Sequence, residues 1–171
     1  MHDDRRLLEV RLNRFVRDHV EPAIYQASAP LTLTAWRVPG EPVPFADAVR
    51  QNFTSIDIGA AWGEPWSTLW IHAVGEVPAD WSGMAATEPE VVIDLGFSGG
   101  AGFQAEALAY RANGHMIKAV SPFNNHLPVT PGEPVEVYLE AAANPDVGNT
   151  SFLPTPNGDL ATAIDTPLYV I

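Results

Sequence analysis

The sequence has no cysteine, a single lysine and no long apolar run. Without cysteine there is neither a disulfide nor a thiolate metal site. Lys118 stands beside eight arginines and against 21 acidic residues, for a net charge of −12. Nucleic-acid binding rests on lysine and arginine meeting phosphates, so that class of partner is excluded. Residues 1–21 hold five arginines and five acids, and everything after Glu21 therefore carries the whole deficit. An anionic membrane surface is repelled for the same reason. No stretch approaches the ~20 apolar residues of a membrane helix. The first residues, "MHDDRRLLEVRLNRF", lack the uninterrupted apolar core of a signal peptide. The cytoplasm is the expected location, and the sequons Asn52-Phe53-Thr54 and Asn149-Thr150-Ser151 are then coincidental.

What is present is a core and much punctuation. Apolar residues make up 46% of 171, enough for one folded domain, while 16 prolines and 13 glycines cut the chain into short pieces. Leu8, Leu12, Phe15, Val16 and His19 form one stripe of a helix expected over residues 4–20, ended by Glu21-Pro22. Asp3 and Asp4 occupy the N-cap and first-turn positions, and the stripe is expected to dock on the following domain. From "LTLTAWRV" (31–38) onward the period is two. "PGEPVPF" reads as a loop. "FTSIDIG", "WSTLWIHAVGEV", "EVVIDLGF", "AEALAYRA", "GHMIKAV" and "PVEVYLEAA" then read as strands, with Asn113-Gly114 as a tight two-residue hairpin turn. Seven or more short strands and no second long helix point to an antiparallel β-sandwich or jelly roll, galactose-binding-domain-like, preceded by one helix. The expected division is 1–27 helical segment, 28–165 sandwich, and 166–171 the start of a linker. "DTPLYVI" reads as the first half of another strand or as a linker, and its apolar residues up to Ile171 suggest a piece of a longer protein.

Four of the five tryptophans lie in "WGEPWSTLWIHAVGEVPADW", residues 62–81. Gly63 and Pro65 argue against a helix there. In a strand, Trp66, Thr68, Trp70 and His72 share one face, while Leu69, Ile71 and Ala73 share the core face. Rings off the core face need a cover, since each buries ~150–250 Å². A sugar, another domain or a second subunit are the candidates, and a structural or interface use is favoured over sugar stacking.

These residues resemble a known family. "FTSIDIGAAWGEPWSTLWIHAVGEVPADW" is similar to the segment ahead of the catalytic domain in class II α-mannosidases of glycoside hydrolase family 38, in the cytosolic and vacuolar branch. Trp62, Gly63, Trp66, Thr68, Trp70 and Pro78 match its W-G-x-x-W-x-T-x-W pattern and closing proline. "VEVYLEAAANPDVG", through Glu140, Asn144 and Gly148, and "YRANGHMIKAV", through Asn113 and Gly114, resemble later family stretches. The likeness covers about residues 4–150, whereas "SPFNNHLPVTPG" and "TSFLPTPNGDL" match nothing in it. It implies a non-catalytic amino-terminal domain of a retaining, zinc-dependent α-mannosidase, packed on its own catalytic domain, with a homo-oligomer possible and α-mannosides as substrates of the whole enzyme. An independent mannoside-binding module is the alternative. The family's zinc belongs to the catalytic domain, and no cofactor is expected in this chain. His2, His19, His72, His115 and His126 show no H-x-H spacing.

The candidate carbohydrate or domain-interface residues are thus Trp62, Trp66, Trp70 and Asn144; no catalytic or metal-binding residue is expected. Asp94, Glu106, Glu136 and Glu140 could in principle pair as glycosidase carboxylates, ~5–5.5 Å apart for retention or ~6.5–9.5 Å for inversion. No spacing singles out two of them, and a solvated face is the favoured reading. Asn144-Pro145-Asp146 with Glu140 could hold calcium, but a side-chain-stabilised turn is the commoner use of such residues. "GFSGGAG" has neither the order of a dinucleotide loop nor a P-loop lysine.

Overall fold

A computed structural model of the chain describes residues 4–83, 88–97, 105–144, 164–167 and 169–170. The chain opens with helix α1 (Arg5–Phe15), widens into a π-type stretch (Val16–Val20) and continues as α2 (Glu21–Ile24). Pro22 therefore does not end the helix, as the sequence suggested. The Glu21 N–H reaches back five residues to the Val16 carbonyl, so the widened turn falls just before the residue that has no N–H to give. Asp4 occupies the N-cap position but makes no side-chain cap bond. The expected docking is not observed either. No residue of the helix is buried, and Leu8, Leu12 and Phe15 are 60%, 61% and 56% exposed.

The strands are β1 (Thr32–Arg37), β2 (Thr54–Ser55), β3 (Ala61–Gly63), β4 (Thr68–Glu76), β5 (Glu90–Asp94), β6 (Glu106–Arg111), β7 (Met116–Val120), β8 (His126–Pro128), β9 (Pro134–Ala142), β10 (Ile164–Pro167) and β11 (Tyr169–Val170). One six-stranded sheet runs β2-β1-β4-β9-β6-β7; β11-β5-β8 and β10-β3 form smaller sheets. Every pairing among the described residues is antiparallel. Residues at 166–171 were expected to begin a linker or another strand; Pro167 pairs with Ala61, and Tyr169 and Val170 pair with Asp94 and Ile93.

Alternation decides which face is core. Leu69, Ile71 and Ala73 of β4 and Val135, Val137, Leu139 and Ala141 of β9 point one way, opposite Val91, Ile93 and Leu95 on and just after β5 and Trp62 of β3. Between them lies one continuous apolar cluster, the filling of a sandwich. The opposite face of the large sheet is also covered, by residues 38–53 of the chain itself. Val38, Ala48 and Trp70 are buried there, with Trp36, Val43, Phe45, Phe53, Tyr110 and Tyr138 packed around them. A short helix, α3 (Phe45–Ala48), carries Phe45 into this cap from a segment that the sequence presents mainly as loop.

Asn113-Gly114 does turn the β6–β7 hairpin, but by a longer route than expected. Among the described non-glycine residues only Trp66 has positive φ, so Asn113 does not adopt the paired positive φ of a two-residue turn. Instead the Gly114 N–H bonds the Arg111 carbonyl at 2.9 Å, Gly114 takes φ +83°, and Asn113 Oδ1 accepts the His115 N–H at 3.0 Å. That is a type I turn closed by a glycine bulge. A Cβ at Gly114 would also lie 3.0 Å from the Phe45 ring, so turn and cap require the same glycine.

Candidate functional site

The tryptophan motif separates into three environments. Trp62 is 1% exposed in the central core, and its Nε1 donates to the Leu95 carbonyl at 3.1 Å. Trp70 is 0% exposed beneath the cap. The cover it needs is Phe45, edge-on at 5.9 Å, and Tyr110, tilted at 5.5 Å. Neither ring is available to a ligand. Trp66 is different, at 50% exposed.

The local chemistry of "GEPWS" explains why. Pro65 presets the second position of a turn, and the Ser67 N–H bonds the Glu64 carbonyl at 3.0 Å. Ser67 Oγ reinforces it, donating to that carbonyl at 2.7 Å and accepting the Glu64 N–H at 3.1 Å. The third position of such a turn requires positive φ and normally takes glycine or asparagine. Here it is Trp66, with φ +69°. The left-handed conformation costs a side-chain-bearing residue about 1–2 kcal/mol. Alternation had placed Trp66 on the same face as Trp70, but the turn lifts it out before β4 begins at Thr68. Its N–H bonds the Ala143 carbonyl at 2.8 Å, which ties the turn to the end of β9. Asn144 follows there, while Pro145, Asp146 and Gly148 lie outside the described residues, and with them the calcium alternative.

Beside the cap, the outer face of the large sheet carries a polar row. His72 stacks on Tyr138 at 4.1 Å and meets Glu136 Oε1 at 3.1 Å. Tyr110 donates to Glu140 Oε2 at 3.0 Å. Burial pushes the Tyr110 hydroxyl up to about 12, and the hydrogen bond to Glu140 and that carboxylate's charge add to the shift. Tyr138 is raised by burial and then by the charge of Glu136. Glu106 and Glu140 share a cleft of about 360 Å³ with Thr68, Pro42 and Ser121. This unites two of the four weighed carboxylates. Glu136 stands with His72, and Asp94 Oδ1 accepts the Gly96 and Phe97 N–H groups at 2.8 Å each, a turn-stabilising role. Glu106 is exposed, the setting of a solvated acid rather than the apolar pocket that suits a glycosidase acid.

Among the described residues no three His, Asp or Glu side chains come together in a group that could hold a metal ion. Nor, among them, is any helix long and apolar enough to cross a membrane.

The architecture is that of an antiparallel jelly-roll sandwich whose tryptophan motif builds its core, its sheet cap and one exposed turn. A family model described as the α-mannosidase jelly-roll domain matches residues 29–163. The chain belongs to that family. No match to it was found among curated proteins.

Proposed function

We propose that this chain is the non-catalytic amino-terminal domain of a retaining, zinc-dependent α-mannosidase of glycoside hydrolase family 38, acting in the cytoplasm. Its task is to pack on the catalytic domain that hydrolyses terminal α-mannosyl residues, and to support assembly, including contacts between subunits. Family membership over residues 29–163 motivates the reading. The observation that carries it to a particular surface is Trp66, a large aromatic ring held half-exposed at φ +69°. A strained backbone holding an exposed ring suits a contact outside the domain. The exposed helix stripe of Leu8, Leu12 and Phe15 offers a second apolar surface of the same kind.

Trp66→Gly tests this with opposite signs for stability and association. Glycine relieves the positive φ, so the chain alone should be about 1 kcal/mol more stable in urea unfolding. The chain mixed with the catalytic portion of such an α-mannosidase should co-elute with it, and the variant should not. Hydrolysis of an aryl α-mannoside should need the catalytic portion. Turnover by this chain alone, or co-elution indifferent to Trp66→Gly, overturns the reading.

A further inference from the structure

A second cleft, of about 210 Å³, opens between residues 24–28 and the start of β5. Its functional lining is Tyr25, Trp81, Glu88 and Glu90. Tyr25 directly follows α2 in extended geometry, and its hydroxyl donates to Glu90 Oε1 at 2.6 Å. That bond pins a 49% exposed ring against the sandwich. Trp81 comes from the 3₁₀ turn Ala79–Gly83 and packs in part against the central core. Unlike Trp70, neither Tyr25 nor Trp81 contacts another aromatic ring among the described residues.

A half-exposed tyrosine and a partly buried tryptophan that line one cleft, with carboxylates beside them, form a particular recognition surface. A pyranose has an apolar C–H face, which an aromatic ring covers well, and a rim of hydroxyl donors. A carboxylate has about four lone-pair sites and accepts such donors with charge-assisted strength. Among the described residues Glu90 accepts from Tyr25 at one of these sites, and Glu88 is exposed at the same cleft. The two carboxylates and a net charge of −12 disfavour phosphorylated, sulfated or acidic sugars. The volume falls below the ~300–1,000 Å³ of sites for drug-sized ligands, so it suits a single ring. We propose that this cleft binds one neutral pyranose unit, stacked against Trp81 and Tyr25 with its hydroxyls donated to Glu88 and Glu90. The site stands on this chain's own residues and is independent of packing on a catalytic domain.

The test is calorimetric and NMR titration of this chain with methyl α-mannoside, methyl α-glucoside, methyl β-galactoside and α-mannobiose. At least one methyl glycoside should bind saturably in the millimolar range. If one ring fills the site, the disaccharide of a binding sugar should gain no more than about twofold. Tyr25→Ala should weaken binding about tenfold while the chain still folds cooperatively, because the ring is about half exposed and buries no part of the central core. Trp81→Phe keeps an aromatic ring in the core contact and should weaken binding less. Trp66→Gly should leave binding intact. Three results overturn the proposal: no saturation at tens of millimolar sugar, binding indifferent to Tyr25→Ala, or binding lost in Trp66→Gly.

Discussion

Replacing Phe45 by alanine asks whether the chain itself seals the outer face of its large sheet. The Phe45 ring lies 5.4 Å from Tyr110, 5.4 Å from Tyr138 and 5.9 Å from Trp70, two of these contacts being edge-on. Aromatic pairs add about 0.5–1.5 kcal/mol each beyond area burial, so three place ~1.5–4.5 kcal/mol on this ring. Truncating a fully buried phenylalanine costs about 3–5 kcal/mol. Phe45 is only partly buried, and both routes then converge on a loss of about 2–3 kcal/mol. At ~1–3 kcal/mol per molar urea, the unfolding midpoint should fall by about 1–2 M. Near-ultraviolet circular dichroism should weaken as well, because the Trp70–Tyr110 pair loses the ring that confines it. Phe45→Leu restores volume without the aromatic geometry and should recover about half of the loss. A fall below ~1 kcal/mol with an unchanged aromatic spectrum would refute the cap as the cover of Trp70.

Two other perturbations read separate parts of the same frame. Gly63→Ala puts a Cβ 2.6 Å from the Cβ of Ala143, an atom fixed to its backbone, whereas Gly75→Ala meets the far end of Leu31 at 2.5 Å. Thermal or urea unfolding should show about 2–3 kcal/mol lost at Gly63 and about 1 kcal/mol at Gly75, where the leucine can rotate; equal losses would contradict the contrast. Tyrosinate absorbance should show Tyr110 ionising near pH 12 rather than 10. The folded state then holds this proton more tightly than the unfolded chain, so the stability it contributes is full below pH 10 and is lost as pH rises towards 12. Glu140→Gln removes the carboxylate's share and leaves that of burial, so the value should fall yet stay above 10; no change would deny the Tyr110–Glu140 contact.

What was legible in the sequence is what local periodicity encodes. The alternation of β4 and β9 correctly separates Leu69, Ile71, Val137 and Leu139 from Trp70, His72, Tyr138 and Glu140. The identity of the cover over Trp70 could not be read that way. It comes from residues 38–53, where prolines and a four-residue helix leave no period to detect. The three-residue strands β3 and β8 escaped for the same reason. Trp66 was misplaced because alternation was extended back from β4 to the residue that follows Pro65, although proline at the second position of a turn was the available signal. Tyr25 and Trp81 carry no shared motif. The hydrogen bond between Tyr25 and Glu90, 65 residues apart, joins the first of them to β5.

The positions of these residues argue for two separate surfaces rather than one diffuse site. Both faces of the six-stranded sheet are largely covered, one by the smaller sheets and one by the cap. Exposed aromatic chemistry is therefore displaced to the strand ends. Trp66 precedes β4 and Trp81 follows it, and β4 has nine residues. At ~3.3 Å per residue that strand alone holds the two ends about 30 Å apart. Perturbations so far apart, with no shared partner, act independently. A domain could thus hold a catalytic partner through Trp66 at one end while a sugar occupies the Tyr25–Trp81 cleft at the other. Neither occupant would obstruct the other, and loss of one would leave the other measurable.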